Sequence, residues 1–146
     1  MIPRALGVFG DPVAHSLSPA MHGAVLASLG LPHVYVPFRV AAKDLGAALK
    51  GAAALGFLGV NLTVPHKTAA LGHLDELSDE VRRIGAVNTV VFDGPPGDTR
   101  SVGHNTDGVG FVRALDGLNG PATRRAVRPR WLADENGRMR DTSAWV

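Results

Sequence analysis

Lys67 stands where a chain can do chemistry. It follows Gly59-Val60-Asn61-Leu62-Thr63-Val64-Pro65-His66, in which Val60, Leu62 and Val64 alternate with Asn61 and Thr63. That alternation predicts a strand with one apolar and one polar face. Pro65 has no N–H for a ladder and ends the strand. Lys67-Thr68-Ala69-Ala70-Leu71 then reads as a helix, with Pro65 near its first turn. A strand that stops and turns into a helix puts Thr63 and Lys67 at a carboxyl edge, where open α/β sheets bind ligands. An ammonium there can stay charged and hold an oxyanion, or lose part of its hydration and move a proton. Read alone, the same residue is a solvated surface lysine, because motifs this short also arise by chance.

Three other places carry suitable groups. In His15-Ser16-Leu17-Ser18-Pro19, Ser18 before Pro19 predicts a helix start, with a hydroxyl at the N-cap and proline in the first turn. That duty explains Ser18 in full and leaves Ser16 without one. Two hydroxyls at a helix N-terminus also suit a hydroxylated or anionic ligand. Asn88 sits among apolar residues, and a buried amide must bond either neighbouring backbone or a ligand. Asp107 precedes the helical run Val109–Leu115. It is read either as that helix's N-cap or, in addition, as a counter-ion that holds the Lys67 amine charged and in place. The acidic pairs Asp75-Glu76 and Asp79-Glu80 lie before and at a helix start, where the dipole favours them, with no histidine or third acid at ligand spacing. No metal site is expected.

The elements that must position these groups follow in order. Ala5–Phe9 reads as a buried strand closed by Gly10-Asp11-Pro12. Met21, Val25, Leu26 and Leu29 form a helical stripe closed by Gly30. His33–Val40 alternates around Val34, Val36 and Phe38 as a second strand. Lys43–Leu55 is an alanine-rich helix, with Leu45, Leu49 and Leu55 expected inward. After the strand at 57–64 and the Lys67 helix, Ser78 opens a short helix that ends at Gly85. Residues 85–92 and 101–104 pair as a hairpin across a Gly/Pro-rich turn. The helix after Asp107 turns Val112 and Leu115 inward. The order β-α-β-α-β implies a parallel sheet with helices on its faces, and the hairpin makes it mixed. The expected class is α/β, a three-layer α/β/α with a mixed, mainly parallel sheet.

The totals agree with one ordered domain: 146 residues, 45% hydrophobic and 19% charged. There is no apolar run of membrane-spanning length, and the start Met-Ile-Pro-Arg leads directly into a strand without a basic-then-apolar leader. The chain has no cysteine, which excludes disulfides and Cys-ligated metal. These features fit a cytoplasmic protein. The net charge of +2 is uneven: residues 1–120 carry nine basic and ten acidic side chains, residues 121–146 six arginines and three acids. The folded part is therefore no basic nucleic-acid surface.

Taken in order, His15-Ser16-Leu17-Ser18-Pro19, Asn61–Lys67, Gly85-Ala86-Val87-Asn88-Thr89 and Asn105-Thr106-Asp107-Gly108 resemble the substrate-binding N-terminal half of the shikimate dehydrogenase family, over roughly residues 5–118. The resemblance implies reversible, NADPH-linked reduction of 3-dehydroshikimate to shikimate, in the pathway to chorismate and the aromatic amino acids. It implies that Ser16 and Ser18 bind the substrate carboxylate, that Thr63 and Asn88 bind ring hydroxyls, and that Lys67 and Asp107 form the catalytic pair at the reacting C3 oxygen and its neighbouring hydroxyl. Shikimate against quinate is left open, although the serine pair fits the shikimate-preferring pattern better.

The family continues into a Rossmann domain whose glycine-rich loop holds NADP(H). After Gly120 the sequence instead reads Pro121-Ala122-Thr123-Arg124-Arg125, with no Gly-x-Gly-x-x-Gly and no periodicity. The expectation is a shikimate-binding catalytic domain over 1–120 and an Arg-rich tail over 121–146 from a truncated or frameshifted reading. Such a chain lacks the cofactor domain, is inactive alone, and exposes apolar surface that favours a homodimer. The alternative from another class is a non-catalytic shikimate- or quinate-binding module. An Arg-tail nucleic-acid binder ranks below both, and no membrane partner is expected.

Overall fold

A computed structural model describes residues 2–95 and 97–118. The Arg-rich segment 121–146 lies outside the described residues. The chain divides into two compact units, Met1–Thr106 and Asp107–Val146.

The first unit runs β1 (Ala5–Gly10), α1 (Ser18–Ser28), β2 (Val34–Arg39), α2 (Leu45–Ala54), β3 (Gly59–Leu62), α3 (His66–Ala69), β4 (Glu76–Leu77), α4 (Asp79–Ile84), β5 (Thr89–Asp93) and β6 (Arg100–His104). Short 3-10 turns precede α2 and follow α3. The second unit opens with α5 (Asp107–Leu118). The six strands form one sheet in the order β2-β1-β3-β5-β6-β4. β1 pairs in parallel with β2 and β3, and β4 with β6, while β5 is antiparallel to both β3 and β6. The sheet is mixed for the reason the sequence gives: helices connect the first three strands, and a tight turn connects the hairpin. The two-residue β4 is too short to leave a period in the sequence.

One face of the sheet holds the core. Val60 and Leu62 of β3, Val90 and Phe92 of β5 and Phe9 of β1 pack with Leu45, Leu49 and Ala52 of α2, with Ala70, and with Val81 of α4. Leu45, Leu49 and Val81 are almost wholly buried. Each such side chain is worth about 1.5–3 kcal/mol by removal from water. Gly7 admits the neighbouring strand closely, since a Cβ there would lie 2.7 Å from Cε2 of Phe38.

Leu55, expected inward, is not, and two apolar patterns read from the sequence do not reach the core. Leu55 is 78% exposed. It stands ten residues after Leu45, about 80° off the stripe that Leu45, Leu49 and Ala52 define at 100° per residue. Val64 is 67% exposed because the β3 ladder ends at Leu62. The α1 stripe is real in sequence, but Met21, Val25 and Leu29 are exposed and α1 buries no residue. α1 packs on β2 and β1, over strand positions that carry polar groups instead of a second apolar core.

Among the described residues, no helix is long and apolar enough to cross a membrane.

Candidate functional site

The site is assembled where β1 and β3 end. Because β5 runs antiparallel to β3, with Asn61 opposite Thr89, the start of β5 and the end of β6 reach the same edge. Backbone hydrogen bonds tie the departing loops together. Thr63 N–H donates to Phe9 O at 3.0 Å, Asp11 N–H to Val64 O at 3.0 Å, Leu62 N–H to Asn88 O at 2.8 Å, and Asn88 N–H to His104 O at 3.1 Å. Gly10 is required at the tip of β1, since a Cβ there would run into Cγ2 of Thr63.

Thr63 and Lys67 belong to one turn. His66 N–H donates to Thr63 O, and Lys67 O accepts from Val87 N–H, each at 2.8 Å. The His66 ring is fully buried, with Nε2 2.8 Å from Val40 O. A carbonyl can only accept, so Nε2 carries the proton and His66 pins the start of α3 to the end of β2. Lys67 is thereby held half-buried on a short helix anchored at both sides.

The two serines exchange the duties read from sequence. Ser18 is the first residue of α1, Leu17 occupies the cap position, and no side chain makes a cap bond there. It is Ser16 that serves the backbone: its Oγ accepts from Ser18 N–H at 3.3 Å. The Ser18 hydroxyl instead favours the nearby Tyr35 phenolate. Pro19 explains the exchange, because with proline in the first turn the helix has one donor fewer to cap. Ser78 likewise stands at the cap of α4 without a cap bond, its Oγ buried and unpartnered.

From Tyr35 a line of polar groups crosses the sheet. The Tyr35 hydroxyl donates to Asn61 Oδ1 at 2.7 Å. Asn61 Nδ2 donates to Thr89 Oγ1 at 3.1 Å and to Asn88 O at 3.2 Å. Thr89 donates to Asn88 Oδ1 at 2.9 Å, and Asn88 Nδ2 to Thr106 Oγ1 at 2.9 Å. Buried Asn88 thus bonds neighbouring side chains and accepts one backbone bond, from Thr106 N–H at 3.0 Å. Burial pushes the Tyr35 phenol up to about 12, against the opposing effect of the Ser18 hydroxyl. Nearby Asn105 is buried and donates to Ala86 O at 2.9 Å.

Asn88, Tyr35 and, through Asn61, the β3 edge are therefore joined. Ser16 adjoins Ser18, and Thr63 and Lys67 share the next turn. Asp107 is the first residue of α5 and belongs to the second unit. Tyr35, Asn61, Thr89 and Thr106 were missed by sequence reasoning. Asn61 had a signal, since it shares the polar face of β3 with Thr63. Tyr35 had only its alternation with Val34 and Val36; its contact with Asn61 spans 26 residues and leaves no local trace.

Residues 8–90 match the family model of the shikimate dehydrogenase substrate binding domain. A shikimate dehydrogenase (NADP(+)) of Geobacillus kaustophilus is 50% identical over 113 residues, covering 77% of this chain and 40% of the relative. The structure of shikimate 5-dehydrogenase from Thermus thermophilus in complex with shikimate matches at 48% identity and a TM-score of 0.71, over 81% of this chain and 45% of that one. A 5-ketofructose reductase of Gluconobacter, solved in ligand-free form, matches at 37% identity and a TM-score of 0.75, over 83% and 42%. The chain spans about 40% of the length of the curated relatives it matches.

Proposed function

The chain belongs to the shikimate dehydrogenase substrate-binding domain family, and from that membership we propose that it binds shikimate or 3-dehydroshikimate as the substrate half of an NADP-dependent oxidoreductase. Ser16 and Ser18 receive the carboxylate, and Thr63 and Asn88 receive ring hydroxyls. Lys67 faces the C3 oxygen. Asp107 is assigned by its motif alone.

The chemistry of these groups supports the assignment. When a hydride reaches a carbonyl carbon, negative charge gathers on the oxygen and a proton must follow. A half-buried ammonium on an anchored turn stabilises that charge more than a mobile surface lysine does, and it has a proton to give. Small hydroxyls at the head of α1 suit a carboxylate. NADP(H) supplies the hydride when bound. The described residues offer no Gly-x-Gly-x-x-Gly turn for its phosphates, so no step through the cofactor is assigned to them.

The observation that carries the reading is the tying of two motif segments, Thr63–Lys67 and Asn88, to a single sheet edge by the hydrogen bonds above, with α1 and its Ser18 packed on the neighbouring β2 and β1. Calorimetric titration with shikimate tests it, beside Lys67→Ala and Ser16→Ala variants and an NADP-coupled absorbance assay. Saturable binding weakened by both variants supports the reading. A folded chain that does not bind shikimate overturns it. Binding without turnover leaves the substrate half standing and is what the non-catalytic alternative also expects. A homodimer belongs to the same proposal, supported by exposed Leu17, Met21, Val25 and Leu29, as does a cytoplasmic location, which a sequence free of cysteine fits. A monomer at all concentrations in sedimentation would remove the homodimer.

A further inference from the structure

The polar line from Tyr35 to Thr106 has one direction, and two backbone groups set it. Hydroxyls and carboxamides both donate and accept, so a chain of them alone has two ways to run. The carbonyl of Asn88 only accepts, and it takes a proton from Asn61 Nδ2 at 3.2 Å. The Asn61 nitrogen must then face β5 and its oxygen must face β2. The amide of Thr106 only donates, and it gives to Asn88 Oδ1 at 3.0 Å, which turns Asn88 Nδ2 toward Thr106 Oγ1. With the Asn61 oxygen facing β2, the Tyr35 hydroxyl must donate to it. A phenol has one proton, so toward Ser18 the Tyr35 oxygen can only accept.

We infer that Tyr35 is a positioning residue of the proposed substrate site, holding Asn61, and through it Asn88, in one hydrogen-bonding direction. The inference rests on the shikimate-binding reading. Tyr35 does not touch the reacting atoms; it acts through Asn61. The ring of His22 on α1 stacks on Tyr35, with centroids 4.3 Å apart and planes 13° from parallel, so the phenol is held in place while its hydroxyl bridges.

Tyr35 is the sole tyrosine of the sequence, so the full chain labelled at tyrosine 13Cζ gives one resonance that reports its hydroxyl. Tyr35→Phe keeps the ring stack and removes the bridge. Its shikimate affinity, measured by calorimetry, is expected to fall about tenfold. In an Asn61→Ala background the same change is expected to cost less than about twofold, because the link it breaks is already gone. Equal losses in both backgrounds would show that Tyr35 does not act through Asn61 and would overturn the inference. A purely structural role would lower the melting temperature without that non-additivity. The 13Cζ resonance should move in Asn61→Ala and on adding shikimate to the unaltered chain. A resonance unmoved by Asn61→Ala overturns the inference whatever the ligand does. A resonance that moves in Asn61→Ala, in a chain that binds no shikimate, removes the substrate reading and keeps the bridge.

Discussion

The two faces of the sheet in the first unit are built to different rules, often by the same strands. On β3, Val60 and Leu62 enter the core while Asn61 between them joins the polar line. On β5, Val90 and Phe92 enter the core while Thr89 joins that line. The helices divide likewise. α2, with ten residues, buries Leu45, Leu49 and Ala52; α1, with eleven, buries none. A period of two lets one strand stabilise the fold with one set of residues and shape a site with the residues between them. Stability and binding are then separable by a shift of one position.

The largest effect that tests this separation lies on the core face. Leu49 is 2% exposed and touches the strands from α2. Leu49→Ala is expected to cost about 2–5 kcal/mol in urea unfolding, since it removes buried methyl groups and leaves a cavity. Ligand affinity of the fraction still folded should be unchanged. The converse comes from the other face. Lys67→Ala is expected to weaken shikimate binding by about ten- to a hundredfold, as loss of a charged hydrogen bond does, with little change in the urea midpoint. If Lys67→Ala lowered stability as much as Leu49→Ala, the two faces would not be separable in this way.

The same division explains what the sequence disclosed. Alternation in β3 told which residues share a face, and the Gly/Pro-rich turn told that residues 85–104 form a hairpin, so the mixed sheet was legible. Periodicity does not tell whether anything lies over a face. Met21, Val25 and Leu29 make a fair stripe, yet they are exposed. Nor does it tell which strand will lie beside which. The partner of Asn61 is Tyr35, which no spacing rule connects to it. Ser16 and Ser18 show a third limit: a serine before a proline reads as a cap, but the structure gives the backbone bond to Ser16 and no cap bond to Ser18. The residues of the site were visible as types, whereas the line that joins them depends on contacts between strands.

The polar face carries a pH signature that the core face does not. Burial raises the Tyr35 phenol from 10.0 to about 12, the Ser18 hydroxyl opposing it. The unfolded chain gives up this proton near its ordinary value while the folded chain keeps it. The contribution to stability is fully present below pH 10 and is lost as pH rises from 10 to about 12. With one tyrosine in the chain, phenolate absorbance follows this single group. A midpoint near 10 in the folded protein would mean that the phenol is solvated and the polar line is open to water. Ser18→Ala should move the midpoint further up, because it removes the group that favours the phenolate.

The smallest expected effect is the most telling for the comparison. Met21 is 58% exposed on α1 and Leu49 is 2% exposed on α2, although both occupy apolar stripes of helices with similar length. Methionine and glutamine differ little in helix propensity. In dilute solution, where the chain is monomeric, Met21→Gln should therefore change the unfolding free energy in urea by less than about 0.5 kcal/mol, as surface substitutions do. Shikimate affinity should also hold, since Met21 makes none of the hydrogen bonds that join Tyr35 to Thr106. If Met21→Gln instead approached the cost of Leu49→Ala, the α1 stripe would be buried in solution against a second copy of the chain. In that case the destabilisation should grow with protein concentration, because the dimer would be contributing to folding. A small, concentration-independent change would leave α1 as what its exposure makes it: a helix held in place by its contacts with β1 and β2 and by the His22–Tyr35 stack, not by a core of its own.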